Sequence, residues 1–132
     1  MSDDHPLQTI ETVLLVAAGG ALGANLRYVV GLVLPGLHGT FVANITGCFF
    51  LGFLLYEFRY TNILADRTRV VFGTGLLSSY TTYSTFAVET VQAFPVWAIV
   101  NVVGSYAVGF AAVLVGRAVA MQLTEESVEV RG

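Results

Sequence analysis

The chain has no lysine, a single cysteine and few charged residues. Asp, Glu, Lys and Arg make up 11% of its 132 residues, whereas soluble domains have roughly 25%. Hydrophobic residues account for 55%, and the mean hydropathy is +0.74. A water-soluble enzyme is therefore nearly excluded, because too little charge is present to cover a soluble surface.

Positive charge is too sparse for a nucleic-acid-binding surface. The six basic residues are all arginines and stand against nine acidic residues, which gives a formal net charge of −3. Nucleic-acid binding usually requires clustered positive charge, so that class is not expected. Cys48 alone cannot form an intramolecular disulfide or a cysteine-based metal site. The absence of lysine fits a high-GC genome and a salt-loving prokaryotic host.

Long apolar runs predict an all-α integral membrane protein that forms a single four-helix domain. A bilayer core of about 30 Å needs about 20 apolar residues in a helix. The four predicted spans are about 12–34, 40–58, 70–94 and 96–121. Their continuous apolar character differs from the alternating segments of a membrane β-barrel. We expect antiparallel helices, and an oligomer because four short helices do not readily enclose a pathway.

Two ionisable residues lie within the predicted spans, where charge is costly and usually functional. Arg27, about two turns before the end of the first span, is either an interfacial anchor or a vestibule charge that attracts anions. Glu89 in the third span either accepts hydrogen bonds from a neighbouring helix or couples transport to an ion.

The third span contains a dense polar segment, Ser78–Phe86, with six aliphatic hydroxyls and three aromatic rings. Such hydroxyls can bond to carbonyls one turn earlier and bend the helix. A break is tolerated where the freed backbone is buried or lines a cavity. We favour the functional interpretation, in which unwound carbonyls bind a cation or hydroxyls line a permeation path. Asn44 in the second span is more typical of a polar contact between helices.

Further motifs occur in order in all four spans. They are Gly19–Tyr28 (GGALGANLRY), Gly39-Thr40 with Asn44, Gly47, Phe49 and Gly52, Thr81–Phe86 (TTYSTF) with Glu89, and Ser105 with Gly109 and Gly116. Together they resemble the Fluc/CrcB family of fluoride channels over nearly the whole chain, and the third-span motif is the specific one.

The resemblance implies a fluoride-selective channel, not an enzyme, that releases cytoplasmic fluoride passively and so lowers its toxicity. It implies a dual-topology, antiparallel dimer in the lipid of the plasma membrane, with a break in the third helix and a structural sodium ion (Na⁺) at the dimer interface. The matching residues are the backbone carbonyls of Ser78 and Thr81 for sodium, Asn44, Tyr83, Phe86, Ser105, Thr40 and Glu89 for the fluoride pathway, and Arg27 for the vestibule. Tyr83 stands where the family usually has Phe, Ser78 where it usually has Gly, and Asn101 where it often has Tyr.

The arginines outside the spans favour one orientation in the membrane. Arg59, Arg67, Arg69, Arg117 and Arg131 fall on one side, and the joints on the opposite side contain no arginine. The positive-inside rule then predicts that both termini are cytoplasmic. Because an antiparallel dimer needs both orientations, we hypothesise a heterodimer with an oppositely oriented paralogue, and a homodimer stays open.

Two other functions stay open on the residues alone. A small proton-coupled exporter of the multidrug type would use Glu89, although such exporters usually carry their carboxylate in the first span. A non-conducting membrane scaffold would tolerate substitution of Asn44 and Phe86.

Overall fold

The computed structural model describes residues 6–61 and 64–129, and every regular element in those ranges is helical. The elements are α1 (Pro6–Val33), α2 (Leu37–Tyr56), a π-helix π1 (Glu57–Thr61), α3 (Asp66–Arg69), a second π-helix π2 (Val70–Leu77), α4 (Ser78–Tyr80), α5 (Tyr83–Gln92) and α6 (Pro95–Glu129). The prediction of an all-helical protein is confirmed.

Three of the described helical stretches are long and apolar enough to cross a membrane. They are Pro6–Val33, Leu37–Tyr60 and Pro95–Glu125. The predicted third span, 70–94, is not one continuous helix, because π2, α4 and α5 divide it. Helices α1 and α6 also extend beyond the predicted spans 12–34 and 96–121. Helix α1 begins earlier than predicted, at Pro6, because proline is tolerated at the first helical position. Helix α6 ends later than predicted because residues 122–129 contain no glycine or proline that would end it.

The joint between α1 and α2 is a tight turn at Pro35-Gly36. Gly36 has a φ of 67°, a conformation that residues with a side chain rarely adopt. Its carbonyl accepts hydrogen bonds from the backbone N–H groups of Gly39 (3.0 Å) and Thr40 (3.3 Å), which start α2. Proline cannot donate a backbone hydrogen bond, so Pro35 also limits α1.

The helices pack as two close pairs, α1 with π2 and α4, and α2 with α6. Each pair meets at glycines. A methyl group added at Gly23 would overlap the carbonyl oxygen of Leu76, and one added at Gly116 would overlap that of Phe49. Small residues therefore allow the backbones to approach closely, as expected between membrane helices.

Apolar side chains cover the outside of the described molecule. Val91 is 85% exposed and Phe94 is 81% exposed, whereas few hydrophobic residues of the described ranges are buried, Leu77 and Phe86 among them. A soluble monomer rarely exposes so much contiguous apolar surface. These faces therefore suit contact with lipid or with another membrane subunit.

The connector between α2 and π2 contains ion pairs. Buried Glu57 accepts a hydrogen bond from the backbone N–H of Leu64 at 2.6 Å and lies 3.9 Å from Arg69 Nε. Arg69 Nη1 lies 3.6 Å from Asp66, and the Arg69 guanidinium is 5.1 Å from the centre of the Phe58 ring. This cluster fixes the end of α2 to the start of the third-span elements.

Candidate functional site

Two extended residues, Thr81 and Thr82, separate α4 from α5 in the polar segment. Their φ and ψ angles are −77° and 157° for Thr81 and −149° and 122° for Thr82. Thr82 also caps α5, since its Oγ1 accepts a hydrogen bond from the backbone N–H of Thr85 at 3.2 Å. The Thr81-Thr82 segment is thus a defined interruption with its own hydrogen bonds.

This interruption releases backbone carbonyls from the helical hydrogen-bond ladder, those of Ser78 and Thr81 among them. The N–H of Thr82, which a continuous helix would direct to the Ser78 carbonyl, donates instead to Asn44 Oδ1 at 2.8 Å. The N–H of Thr85, whose helical partner would be the Thr81 carbonyl, donates to Thr82 Oγ1. The released carbonyls thus include those of Ser78 and Thr81, the two residues that the resemblance assigns to sodium.

Asn44 holds the interruption through both ends of its side-chain amide. Its Oδ1 accepts from the N–H of Thr82, and its Nδ2 donates to the Thr82 carbonyl at 3.0 Å. Because a backbone N–H can only donate, this pairing fixes which way the amide is turned. An amide nitrogen carries two N–H groups, so a second donor stays available for an acceptor.

A cavity of about 530 Å³ beside the Thr81-Thr82 segment contains six of the nine predicted site residues. We call it the break cavity. Its wall includes Asn44, Ser78, Thr81, Tyr83, Phe86 and Ser105. The Tyr83 and Phe86 ring centres are 5.9 Å apart at 40°. Phe86 is buried and Tyr83 is 74% exposed, so the two rings differ in how far the subunit itself encloses them.

A second cavity, of about 520 Å³, contains the other three predicted residues, Arg27, Thr40 and Glu89. We call it the vestibule cavity. Arg27 Nη1 donates to the Thr81 carbonyl at 3.4 Å. Oxygen Oε2 of Glu89 is buried and has no hydrogen-bond partner within residues 6–61 and 64–129. Thr82 borders both cavities, so they meet at the interruption.

Two hydrogen-bonded links near the site involve residues outside the predicted site set. Thr90 Oγ1 donates to the Phe86 carbonyl at 2.6 Å and accepts from Asn101 Nδ2 at 2.8 Å, which ties α5 to α6. The Tyr80 hydroxyl lies 2.8 Å from Thr46 Oγ1, which ties α4 to α2. The clustering of hydroxyls in the third span was the available signal for Tyr80 and Thr90, but it did not identify their partners.

Comparison with known proteins provides a family for this arrangement. The family model described as "CrcB-like protein, Camphor Resistance (CrcB)" matches residues 14–117. The protein named "Fluoride-specific ion channel FluC 1" of Haloarcula marismortui is 59% identical over 119 residues, which cover 90% of this chain and 93% of that protein. "Fluoride-specific ion channel FluC 2" of Halobacterium salinarum is 51% identical over 107 residues, covering 80% and 84%. "Fluoride-specific ion channel FluC 1" of Natronomonas pharaonis is 50% identical over 109 residues, covering 81% and 92%.

Proposed function

The chain belongs to the CrcB family, and from that membership we propose that it is a fluoride-selective channel that releases cytoplasmic fluoride passively across the plasma membrane. It is a multi-pass membrane protein of a halophilic prokaryote, and it is a channel, not an enzyme. Its relatives give no support to the exporter or scaffold alternatives. The structural observation that carries the proposal is that hydrogen-bond donors, Asn44 and Ser105, share the wall of the break cavity with the Tyr83 and Phe86 rings.

Fluoride passes along the break cavity in this proposal. The ion is small and strongly hydrated, so protein donors must replace its water. The free N–H of Asn44 is such a donor, and so is the hydroxyl of Ser105 once its proton turns from Asn101 Oδ1, 3.5 Å away, to the ion. The edges of the Phe86 and Tyr83 rings carry the positive part of the aromatic quadrupole, so they also suit an anion. Within residues 6–61 and 64–129, no charged residue lines this cavity, and weak neutral donors allow an ion to leave as well as to enter.

The vestibule cavity collects the anion before it reaches these donors. Arg27 supplies a positive charge there, which raises the local concentration of anions. Thr40 and Glu89 border the same space and form the polar end of the pathway.

A structural sodium ion fits the interruption of the third span, which we identify with the break that the family pattern implies. The carbonyls of Ser78 and Thr81 are free of their helical partners, and neutral oxygens are suitable ligands for a hard monovalent cation. Arg27 occupies one side of the Thr81 carbonyl, but a carbonyl oxygen has two lone pairs and can accept twice. When bound, sodium would supply positive charge in a low-dielectric region. The serine at position 78, where the family usually has glycine, does not change the type of ligand, because the ligand is the backbone carbonyl oxygen.

An antiparallel dimer would complete both the sodium site and the pathways. The exposed apolar faces and the exposed Tyr83 ring on the wall of the break cavity support a second subunit at this surface. The five arginines on one side of the membrane favour a single orientation and hence a heterodimer with an oppositely oriented paralogue. The names of the three haloarchaeal relatives carry the numeral 1 or 2, which fits organisms with two such channels. Accessibility of tags on both termini tests this, and equal populations of two orientations would refute the heterodimer.

Substitution of Phe86 tests the pathway. Fluoride efflux is measured with an ion-selective electrode from liposomes that contain the purified protein. We expect Phe86→Leu to reduce efflux at least tenfold, because the aliphatic side chain has no positive ring edge. Phe94→Leu is the matched control, since that ring is 81% exposed at the joint before α6. Equal efflux from both variants would contradict the proposed path.

A further inference from the structure

We propose that Tyr80 and Thr46 are positioning residues that hold the Thr81-Thr82 segment in the geometry that binds sodium. The inference rests on the sodium site proposed above. Neither residue matches a position that the family pattern assigns, and neither is itself placed as a ligand or as part of the fluoride path. The argument concerns the hydrogen bond between their side chains and what that bond holds in place.

The direction of this hydrogen bond follows from its surroundings. Thr46 Oγ1 lies 2.7 Å from the carbonyl oxygen of Val42 and 3.2 Å from that of Ala43, both on its own helix. Carbonyl oxygens only accept, and a hydroxyl has one proton, so Thr46 donates to its own helix. The Tyr80 hydroxyl must then donate to Thr46 Oγ1, at 2.8 Å. A phenol proton thus joins the end of α4 to α2.

Helix α2 in this way contacts three consecutive residues of the third span. Tyr80 bonds to Thr46, and Thr82 bonds to Asn44 through both of its backbone groups. Between them, the methyl group of Thr81 lies against Gly47, where an added methyl group would overlap it. The interruption is therefore held from both sides, before it by Tyr80 and after it by Thr82.

The Tyr80 contact matters most for the Ser78 carbonyl. That carbonyl lies in α4, the last three helical residues before the interruption, which continue π2 and pack against α1. Asn44 and Arg27 fix the far side of the interruption. The phenol of Tyr80 ties the near side to α2, the helix that also holds Thr82, and so it helps to set how the Ser78 and Thr81 carbonyls face each other.

Loss of this bond should weaken sodium binding more than it alters the fold. Carbonyls that are ordered before the ion arrives lose less entropy on binding than carbonyls that the ion itself must order. A hydrogen bond of ordinary strength corresponds to about a fivefold change in an equilibrium constant. We therefore expect Tyr80→Phe to raise the sodium concentration for half-maximal binding by about fivefold.

The test measures sodium binding without any fluoride transport. The thermal unfolding midpoint of the full-length protein in detergent is followed as NaCl replaces KCl at constant total salt, because a ligand that binds the folded state raises this midpoint. The dependence of the midpoint on sodium concentration gives the sodium concentration for half-maximal binding. Tyr80→Phe and Thr46→Val should each raise that concentration about fivefold, and the double variant should raise it no further. Thr46→Ser, which keeps the hydroxyl, should behave as the unsubstituted protein. Tyr60→Phe is the matched control, since the Tyr60 ring is 67% exposed beside Tyr56.

The outcomes separate this inference from the sodium proposal. If sodium does not stabilise the unsubstituted protein more than potassium does, the sodium site itself is refuted. If sodium does stabilise it and the half-maximal concentration is unchanged in Tyr80→Phe and Thr46→Val, only the positioning role is refuted. A lower midpoint with unchanged sodium dependence also refutes it, because that result describes a purely structural bond.

Discussion

Replacement of Asn44 by aspartate should nearly abolish fluoride conduction while keeping the size of the side chain. In the structure, Asn44 Oδ1 accepts from the Thr82 N–H and Nδ2 donates to the Thr82 carbonyl. An aspartate keeps the first interaction and loses the second. It also removes the free N–H that we assign to fluoride and puts a negative charge in its place.

The magnitude has two parts. For folding, a carboxylate oxygen would face the Thr82 carbonyl oxygen where Nδ2 now lies at 3.0 Å, and loss of that bond costs about 2 kcal/mol of unfolding free energy. For conduction, fluoride about 4 Å from a like charge is disfavoured by about 4 kcal/mol at an effective dielectric constant of 20. Since about 1.4 kcal/mol corresponds to a tenfold change, fluoride flux should fall about a thousandfold.

The assay is fluoride efflux from liposomes, with the elution profile and unfolding midpoint of each variant measured in parallel. Asn25→Asp is the matched control, because the exposed Asn25 amide donates to the Ala21 carbonyl of its own helix, at 2.8 Å. We expect the control to keep its flux within about threefold. A folded Asn44→Asp protein that conducts fluoride within threefold of the unsubstituted chain would refute the role of this amide.

Three further predictions follow from the same contacts. Thr90→Val removes the link that holds the Phe86 backbone to α6, and it should lower the ratio of fluoride to chloride efflux several-fold. The control Thr12→Val, which removes a bond within α1, should leave that ratio unchanged. Equal ratios in the two variants would contradict the role of the link. Gly47→Ala should lower the unfolding free energy by about 2 kcal/mol, because the new methyl group meets that of Thr81. Adding Thr81→Ser to the same chain should restore most of the lost stability. If thermal unfolding shows no such rescue, the contact does not account for the loss. Arg27→Gln should reduce fluoride efflux about tenfold at low salt and less at high salt, because salt screens the attraction between arginine and fluoride over about 10 Å at 0.1 M. A loss of efflux that does not depend on salt would exclude an electrostatic role of Arg27 in the vestibule cavity.

The sequence was sufficient to predict the helical membrane character and the family. Continuous apolar runs of this length are typical of membrane-spanning helices, and the motif around Thr81–Phe86 is specific to the family. The runs did not show that the third span is divided, because hydropathy averages over a π-helix, a helical turn and extended residues alike. Nor did they reveal that α6 continues to Glu129, since helix ends depend on local breakers and not on hydropathy.

The predicted site residues fall in two cavities that meet at Thr82, but the contacts that hold them could not be read from the chain. The residues around Asn44 predict a polar contact between helices, and only the three-dimensional arrangement identifies its partner as the Thr82 backbone, 38 residues away. Tyr80 and Thr46 are similarly distant in sequence. Hydrogen bonds within one helix follow from spacing, whereas those between helices require knowledge of which faces meet.

The most direct test of the account is the efflux of fluoride and chloride from the same liposomes. The protein is reconstituted alone and together with a family member whose arginines lie at the opposite membrane face. The account predicts rapid fluoride efflux, with chloride efflux at least a hundredfold slower, in the mixed preparation. Efflux from the chain alone would retain the channel and refute the obligatory heterodimer. Absence of fluoride efflux from both preparations, or equal efflux of the two anions, would contradict the proposed function.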